Sequence, residues 1–187
     1  GDILLHAGDV SKQGKKEEIL DFLDWFAKQL FEYKIFIAGN HDFFFEKTTK
    51  EELNELLPNE VIYLQEEGVE IDGIKFWGSP ITPFFNNWAF NRKANEIKAH
   101  WDKIPTDTDV LITHGPAKDM LDRTFFFKSV GCPELKKAVE RIRPKLHLFG
   151  HIHEAYGQKE HNGTRFVNAS LTNILYKLCN QPVTILL

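Results

Sequence analysis

The stretch Ile3-Leu4-Leu5-His6-Ala7-Gly8-Asp9 opens the chain with an apolar run that ends in a glycine and a carboxylate. A short run of this kind predicts a strand buried on both faces, with Asp9 at its carboxyl end. From Lys15 to Leu30, apolar residues recur at steps of three and four, which predicts an amphipathic helix. A second apolar run, Lys34 to Ala38, ends in Gly39-Asn40-His41-Asp42. Strand, helix and strand in this order predict a βαβ unit.

The remaining sequence continues the alternation of apolar strands and periodic helices. It contains no internal repeat, low-complexity tract or linker, so we predict an α/β fold in a single domain spanning residues 1–187. Further helices are predicted at 48–57, 91–101 and 133–142, and further strands at 61–64, 68–71, 74–78, 109–113, 146–149, 154–160, 164–168 and 183–187.

Composition narrows the function classes. With 42% hydrophobic residues and a formal net charge of -4, the chain can fill a core but has no basic stripe for long nucleic acid. No stretch approaches the roughly 18 apolar residues of a membrane span, and none resembles a signal peptide, so we expect a cytoplasmic protein without a membrane partner. Cys132 and Cys179 are too few for a disulfide framework and are expected to be reduced.

Four predicted strands end in polar clusters, and this recurrence is the main functional signal. Ligands of such sheets collect beyond the carboxyl ends of the strands, so the four clusters are expected to share one pocket. Their carboxylate, amide and imidazole donors suit manganese, iron or zinc. The clusters are Gly8-Asp9, Gly39-Asn40-His41-Asp42, His114-Gly115 and Gly150-His151-Ile152-His153.

A pair of divalent ions would suit phosphate ester chemistry. Such a pair lowers the pKa of a bridging water, orients the phosphoryl group and offsets the charge of the transition state. The leaving oxygen also needs a proton, which an imidazole held by a carboxylate can supply. The adjacent His41 and Asp42 offer that combination.

In their order and spacing, these clusters resemble those of calcineurin-like metallophosphoesterases. Gly78-Ser79-Pro80, His114-Gly115-Pro116 and Phe149-Gly150-His151-Ile152-His153-Glu154 further resemble the subfamily of metallophosphoesterase-domain-containing proteins. The resemblance covers nearly the whole chain. It implies an α-β-β-α sandwich of two mixed sheets flanked by helices, and two divalent metal ions.

The resemblance also implies a role for each matching residue. Asp9 is expected to bridge both metals, and His153 to bind one of them. Asn40, His114 and His151 are expected to complete the site of the other metal. His41 is expected to contact the phosphate and protonate the leaving group, with Asp42 orienting it.

One departure from the family is clear. The family opens with an Asp-x-His motif that completes the first metal site, and no such motif precedes Asp9. We expect a chain that begins downstream of this motif, in which the site of His153 lacks two protein donors. That site is expected to be weak or empty, and a neighbouring strand edge to be open to another chain, so a dimer is one expectation.

The leading functional hypothesis is hydrolysis of a small phosphodiester, such as a cyclic nucleotide. A phosphomonoesterase or protein phosphatase is the nearest alternative, and a module that binds nucleotide or metal without turnover is another. The aromatic segment 83–90 is expected to pack in the core or a loop, with the wall of a nucleobase pocket as the alternative. His6 and His147 are expected to be core histidines, and Asp122 a solvated loop carboxylate, with a contact to a ligand imidazole as its alternative.

Overall fold

The computed structural model describes residues 1–187 as a mixed α/β fold with three sheets. The helices are α1 (Lys16–Ala27), α2 (Phe43–Lys47), α3 (Lys50–Leu56), α4 (Ile97–Trp101) and α5 (Pro133–Ile142). The strands are β1 (Ile3–His6), β2 (Tyr33–Phe36), β3 (Val61–Tyr63), β4 (Glu67–Ile71), β5 (Ile74–Ser79), β6 (Thr82–Pro83), β7 (Asn91–Arg92), β8 (Val110–Thr113), β9 (Leu146–Phe149), β10 (Gly157–His161) and β11 (Thr164–Asn168).

The two main sheets differ in strand direction. The three-stranded sheet, β1-β2-β3, is entirely parallel, whereas the six-stranded sheet, β10-β11-β9-β8-β5-β4, has parallel central pairs and an antiparallel pair at each edge. The predicted class, sheets flanked by helices, is confirmed, but the smaller sheet is parallel and not mixed. Its two crossovers run through helices, and such crossovers join parallel strands.

Alternation along the central strands builds two apolar layers. Ile35 and Ile37 point into a cluster that also receives residues of the six-stranded sheet, so this layer lies between the sheets. Phe36 and Ala38, on the opposite face, pack in a larger cluster with residues of α1 such as Phe26. A strand buried on both faces needs this continuous apolar run, which the sequence has.

Three predicted elements differ from the structure. Residues 183–187 form no strand, although Val183 and Ile185 pack against the apolar layer between the sheets. Their alternation buries one face, but no neighbouring strand pairs with the segment. The helix predicted from residue 91 begins only at Ile97, because Asn91 and Arg92 pair with β6. The strand predicted at 154–160 begins at Gly157, after a 3₁₀ turn at His153–Ala155.

None of the helices is both long enough and apolar enough to cross a bilayer.

Candidate metal centre

The structure brings together three of the side chains predicted to bind metal. One ligand atom from each of Asp9, His114 and His151 lies within 4.8 Å of the others. Asp9 follows β1, and the two histidines follow the adjacent parallel strands β8 and β9. The carboxyl ends of strands from both sheets therefore meet at one point, as expected for a fold of this class.

Close backbone approach makes this convergence possible. A Cβ at Gly39 would overlap the Asp9 carboxylate and lie 2.6 Å from Cε1 of His114, so only glycine fits between them. Asp9 itself has a φ of 57°, in the left-handed region that an aspartate tolerates better than most residues. The backbone N–H of His41 donates to Asp9 Oδ1 at 3.0 Å, which ties the loop after β1 to the loop after β2.

His114 presents one defined nitrogen to the cluster. Its Nδ1 lies 2.9 Å from the carbonyl oxygen of Ala7, which can only accept, so Nδ1 carries the hydrogen. The opposite nitrogen, Nε2, lies 2.9 Å from Asn40 Oδ1 and 3.3 Å from Asp9 Oδ2. Asn40 thus joins the cluster of Asp9, His114 and His151. Nε2 of His114, Oδ1 of Asn40 and Oδ2 of Asp9 surround one point in it.

Burial and close spacing shift the pKa values of Asp9, His114 and His151. Burial disfavours a charge on His114, but the Asp9 carboxylate outweighs it and raises the pKa of the imidazole. Burial likewise opposes ionisation of Asp9, yet His114 holds the pKa of this carboxyl below its ordinary value. Burial, followed by the neighbouring His114, lowers the pKa of His151 to about 3. His151 is therefore neutral near pH 7, the state in which an imidazole binds metal.

His153 lies outside the cluster of three. Its Nδ1 donates to the carbonyl oxygen of Asn173 at 3.0 Å, in a loop after the last strand. This bond fixes the ring and leaves Nε2 free, an arrangement typical of a metal-binding histidine. Among the predicted ligands, then, Asp9, Asn40, His114 and His151 converge, and His153 is held separately beside them.

His41 is held at the mouth of the site by backbone and aromatic contacts. Its Nδ1 donates to the carbonyl oxygen of Lys12 at 2.9 Å. Its ring lies 4.5 Å from the ring of Trp88 and 6.0 Å from that of Tyr176, measured between centroids. Trp88 belongs to the aromatic segment 83–90, so part of this segment contacts a predicted site residue.

The predicted pairing of Asp42 with the His41 ring is wrong. Asp42 is fully buried and accepts hydrogen bonds from the N–H groups of Gly39, Val10 and Ser11 and from the Ser11 hydroxyl, at 2.6–3.1 Å. Burial and then the charge of Asp9 raise the pKa of Asp42 to about 6, against the effect of these donors. Asp42 joins the loops that carry Asp9 and His41, while the Lys12 carbonyl orients the His41 ring.

Asp122 also differs from its prediction as a solvated carboxylate. It is 2% exposed, and its Oδ2 accepts from the N–H groups of Asp119 and Gly131 and from the Ser129 hydroxyl. It therefore organises the loop after β8 and holds no ligand imidazole. His147 is fully buried, as predicted for a core histidine.

The donor set fits a divalent cation. Two imidazoles, a carboxylate and an amide oxygen provide four ligands, enough for a borderline ion such as zinc, iron or manganese with water in any open position. Three backbone carbonyls orient histidine rings at the site: that of Lys12 for His41, that of Ala7 for His114 and that of Asn173 for His153. The sequence contains no signal for these contacts. Backbone groups of this kind have no side-chain signature.

Comparison with known proteins agrees with this geometry. The family model described as calcineurin-like phosphoesterase matches residues 1–155. Metallophosphoesterase domain-containing protein 1 of Homo sapiens is 38% identical over 99% of this chain. UPF0046 protein K07C11.7 of Caenorhabditis elegans is 36% identical over 98%. The chain spans 64% of the length of the human relative and 67% of the nematode one.

The fold is also found among solved structures. That of TT1561 of Thermus thermophilus superposes with a TM-score of 0.63 over 91% of this chain and 77% of its own, at 16% identity. At this identity the likeness concerns the fold alone. The sequence match supplies the rest: the chain belongs to the calcineurin-like phosphoesterase family, and within it to the group of metallophosphoesterase domain-containing proteins.

Proposed function

We propose that this chain is a metal-dependent hydrolase of phosphate esters and that its substrate is a small phosphodiester, such as a cyclic nucleotide. The observation that carries the proposal is the convergence of Asp9, His114 and His151 within 4.8 Å, with His41 bonded to the Asp9 carboxylate through its backbone. Family membership supports the reaction class, and the substrate is inferred from the surroundings of His41.

Asp9, Asn40, His114 and His151 would hold one divalent ion, and Asp9 with His153 would contribute to a second. Ions bound there would supply Lewis-acid activation of water and offset the charge of the phosphoryl group. The protein's part is to hold these donors still. The Ala7 carbonyl does so for His114, and the Asn173 carbonyl does so for His153.

His41 is proposed to protonate the leaving oxygen. Because Nδ1 donates to the Lys12 carbonyl, Nε2 is the nitrogen that can carry a proton toward the ester. The same loop places the His41 N–H on Asp9, so the ring stays close to the cluster. An acid in this position suits an ester whose leaving group is a poorly acidic alcohol.

The Trp88 ring favours a diester over a monoester. A diester has a second organic group to accommodate, and the Trp88 indole, whose centroid lies 4.5 Å from that of the His41 ring, offers this group an apolar neighbour beside the proposed acid. A phosphomonoesterase would be better served by an open polar cleft. The Trp88 ring beside His41 also favours a nucleotide-like group, because a nucleobase is flat and aromatic.

Turnover with Mn²⁺ tests the proposal. Bis(p-nitrophenyl) phosphate is expected to react faster than p-nitrophenyl phosphate, and the natural candidates would be a panel of cyclic nucleotides. A poorly acidic alcohol leaving group depends on the acid, so His41→Ala should lower turnover of cyclic nucleotides by roughly 100-fold while metal content stays near normal. His161→Ala, at an exposed position on β10, is the matched control. Loss of metal together with turnover in His41→Ala would remove the assigned role.

A binding module without turnover is the second candidate, and one observation favours it. His153 lies outside the cluster of three, so a second ion would have few protein donors in this chain. Calorimetry that shows nucleotide binding to the metal-loaded chain, with no hydrolysis of any ester, would support this alternative against the first.

A further inference from the structure

Tyr176 occupies a built position beside the candidate site. It lies in a tight turn with a φ of 57°, and its N–H donates to the Asn173 carbonyl at 2.8 Å. The Asn173 side chain accepts from the N–H groups of Leu175 and Lys177, which closes the turn from the other side. A residue with a Cβ is strained at this φ, so the turn must hold Tyr176 in place.

The same turn links Tyr176 to the two outer histidines. The Asn173 carbonyl that receives the Tyr176 N–H also receives Nδ1 of His153. The tyrosine ring lies 5.4 Å from the His153 ring at an interplanar angle of 90°, and 6.0 Å from the His41 ring at 75°. Tyr176 is nevertheless 62% exposed, and its hydroxyl makes no hydrogen bond within the chain. Most of the Tyr176 side chain is therefore exposed to solvent next to the proposed acid.

Trp88 approaches the same imidazole, with its centroid 4.5 Å from that of His41. Two aromatic side chains from distant parts of the chain thus contact one residue at the mouth of the site. A proton given by His41 goes to the leaving oxygen, so whatever is attached to that oxygen must pass close to these rings. The structure offers a leaving group two aromatic side chains here.

We propose that Tyr176 is a specificity-determining residue that contacts the leaving group of the ester and favours leaving groups carrying a flat aromatic ring. This inference rests on the proposed function and names a substrate class for the same site. Flat rings pack on a tyrosine face in offset or edge-on geometry, which a bulky saturated ring of the same size cannot reproduce. Asn173 acts as the positioning residue for Tyr176.

The test uses two phosphodiesters matched in size and in leaving-group acidity: methyl 2-phenylethyl phosphate and methyl 2-cyclohexylethyl phosphate. With Mn²⁺ present, the unmodified chain should release 2-phenylethanol with the higher kcat/KM. Tyr176→Leu should reduce this preference by about 3- to 10-fold, the size of one aromatic contact, and Tyr176→Phe should retain it. Leu178→Ala alters the same loop at an exposed aliphatic residue and should leave the preference unchanged.

A purely structural role would give a different result. If Tyr176 only held His41 in place, Tyr176→Leu would slow both esters equally and the ratio would not change, which would overturn the proposal. Binding of 2-phenylethyl phosphate and 2-cyclohexylethyl phosphate to the metal-loaded chain, measured by calorimetry, keeps the test independent of turnover. If no ester is hydrolysed, the proposed function fails, but the same 3- to 10-fold change in relative affinity would still support Tyr176 as a ring contact. The proposal would be refuted if the unmodified chain and Tyr176→Leu each bound the two phosphates with equal affinity.

Discussion

The two halves of the candidate site are built differently. Asp9, Asn40 and His114 stand after the carboxyl ends of β1, β2 and β8, and His114 and Asn40 are 1% and 5% exposed. His153 and Tyr176 stand on a 3₁₀ turn and an exposed loop, joined through the Asn173 carbonyl. In the first half, neighbouring strands fix the donors. In the second, one turn fixes them, so their position depends on far fewer contacts.

The two halves are suited to different tasks because they differ in how firmly their residues are held. A rigid donor cluster loses little freedom when it binds an ion, because folding has already ordered it. An exposed loop can adapt to substrates, and functional loops are commonly placed on such a scaffold. We therefore expect the strand-end half to govern metal affinity and stability, and the loop half to govern substrate choice.

Asp42 gives the largest expected effect on the strand-end half. Asp42→Ala removes the acceptor of four hydrogen bonds from buried or half-buried groups and leaves the donors of Gly39, Val10 and Ser11 without this partner. We expect a loss of about 3–4 kcal/mol in the free energy of unfolding. Urea unfolding in the presence of a chelator measures it without a contribution from bound metal.

Asp107→Ala is the control for the loss of a carboxylate. Asp107 pairs with Lys75 on the surface, and its side chain is 61% exposed. Solvent screens such an exposed pair, so its removal should lower the free energy of unfolding far less than Asp42→Ala does. If the two variants lose equal stability, the buried hydrogen bonds of Asp42 do not hold the strand-end loops together.

Metal affinity gives the next contrast. His114→Ala removes a buried ligand whose ring is already oriented by the Ala7 carbonyl, and should weaken binding of the first metal equivalent by about 100-fold. His153→Ala should weaken that equivalent by less than about 10-fold, because His153 stands outside the cluster. Calorimetric titration with Mn²⁺ or Zn²⁺ provides the measurement.

A metal titration of the unmodified chain tests the same difference between the strand-end half and the loop half. One tight equivalent should bind to Asp9, Asn40, His114 and His151, and a second should bind weakly because Asp9 and His153 are its only expected protein donors. Two equally tight equivalents would show that the loop half is as complete a site as the strand-end half.

The convergence of the strand-end residues could be predicted from the sequence, whereas the contacts of the loop half could not. Glycine followed by a polar residue at the end of an apolar run is a local pattern, so the positions of Asp9, Asn40, His114 and His151 could be inferred from the residues themselves. His153 lies in the same motif, but its surroundings come from Asn173, about twenty residues later. A contact between residues far apart in sequence, such as that of His153 with Asn173, leaves no local sequence pattern.

The errors have a common physical origin. The pattern predicts Asp42 as the partner of the adjacent His41 ring and Asp122 as a solvated loop carboxylate, but each is a buried carboxylate that bonds backbone N–H groups. A carboxylate buried in this way looks, in sequence, like any other loop aspartate. Residues 183–187 show the same limit for strands, because alternation predicts a buried face but cannot supply a neighbour to pair with.

The smallest expected effect concerns acid stability, and it belongs to the strand-end half. His147 lies on β9, four residues before His151, and burial lowers its pKa to about 3. Its Nε2 lies 2.8 Å from the Thr113 hydroxyl, whose own hydrogen goes to the Gly115 carbonyl, so Nε2 carries the hydrogen and the ring is neutral. The folded pKa lies below the unfolded value of about 6.5. The unfolded chain therefore takes up the proton first, and stability is lost as the pH falls from about 6.5 toward 3.

At pH 5 this linkage amounts to about 2 kcal/mol. His147→Gln keeps a donor for Thr113 and removes the titrating group, so its free energy of unfolding should fall by about 2 kcal/mol less than that of the unmodified chain between pH 7 and pH 5. Urea unfolding at the two pH values, with chelator present, provides the comparison. The same exchange at the exposed His161 controls for the substitution itself. If His147→Gln and the unmodified chain lose stability in parallel, His147 is not the source of acid sensitivity in this half of the molecule.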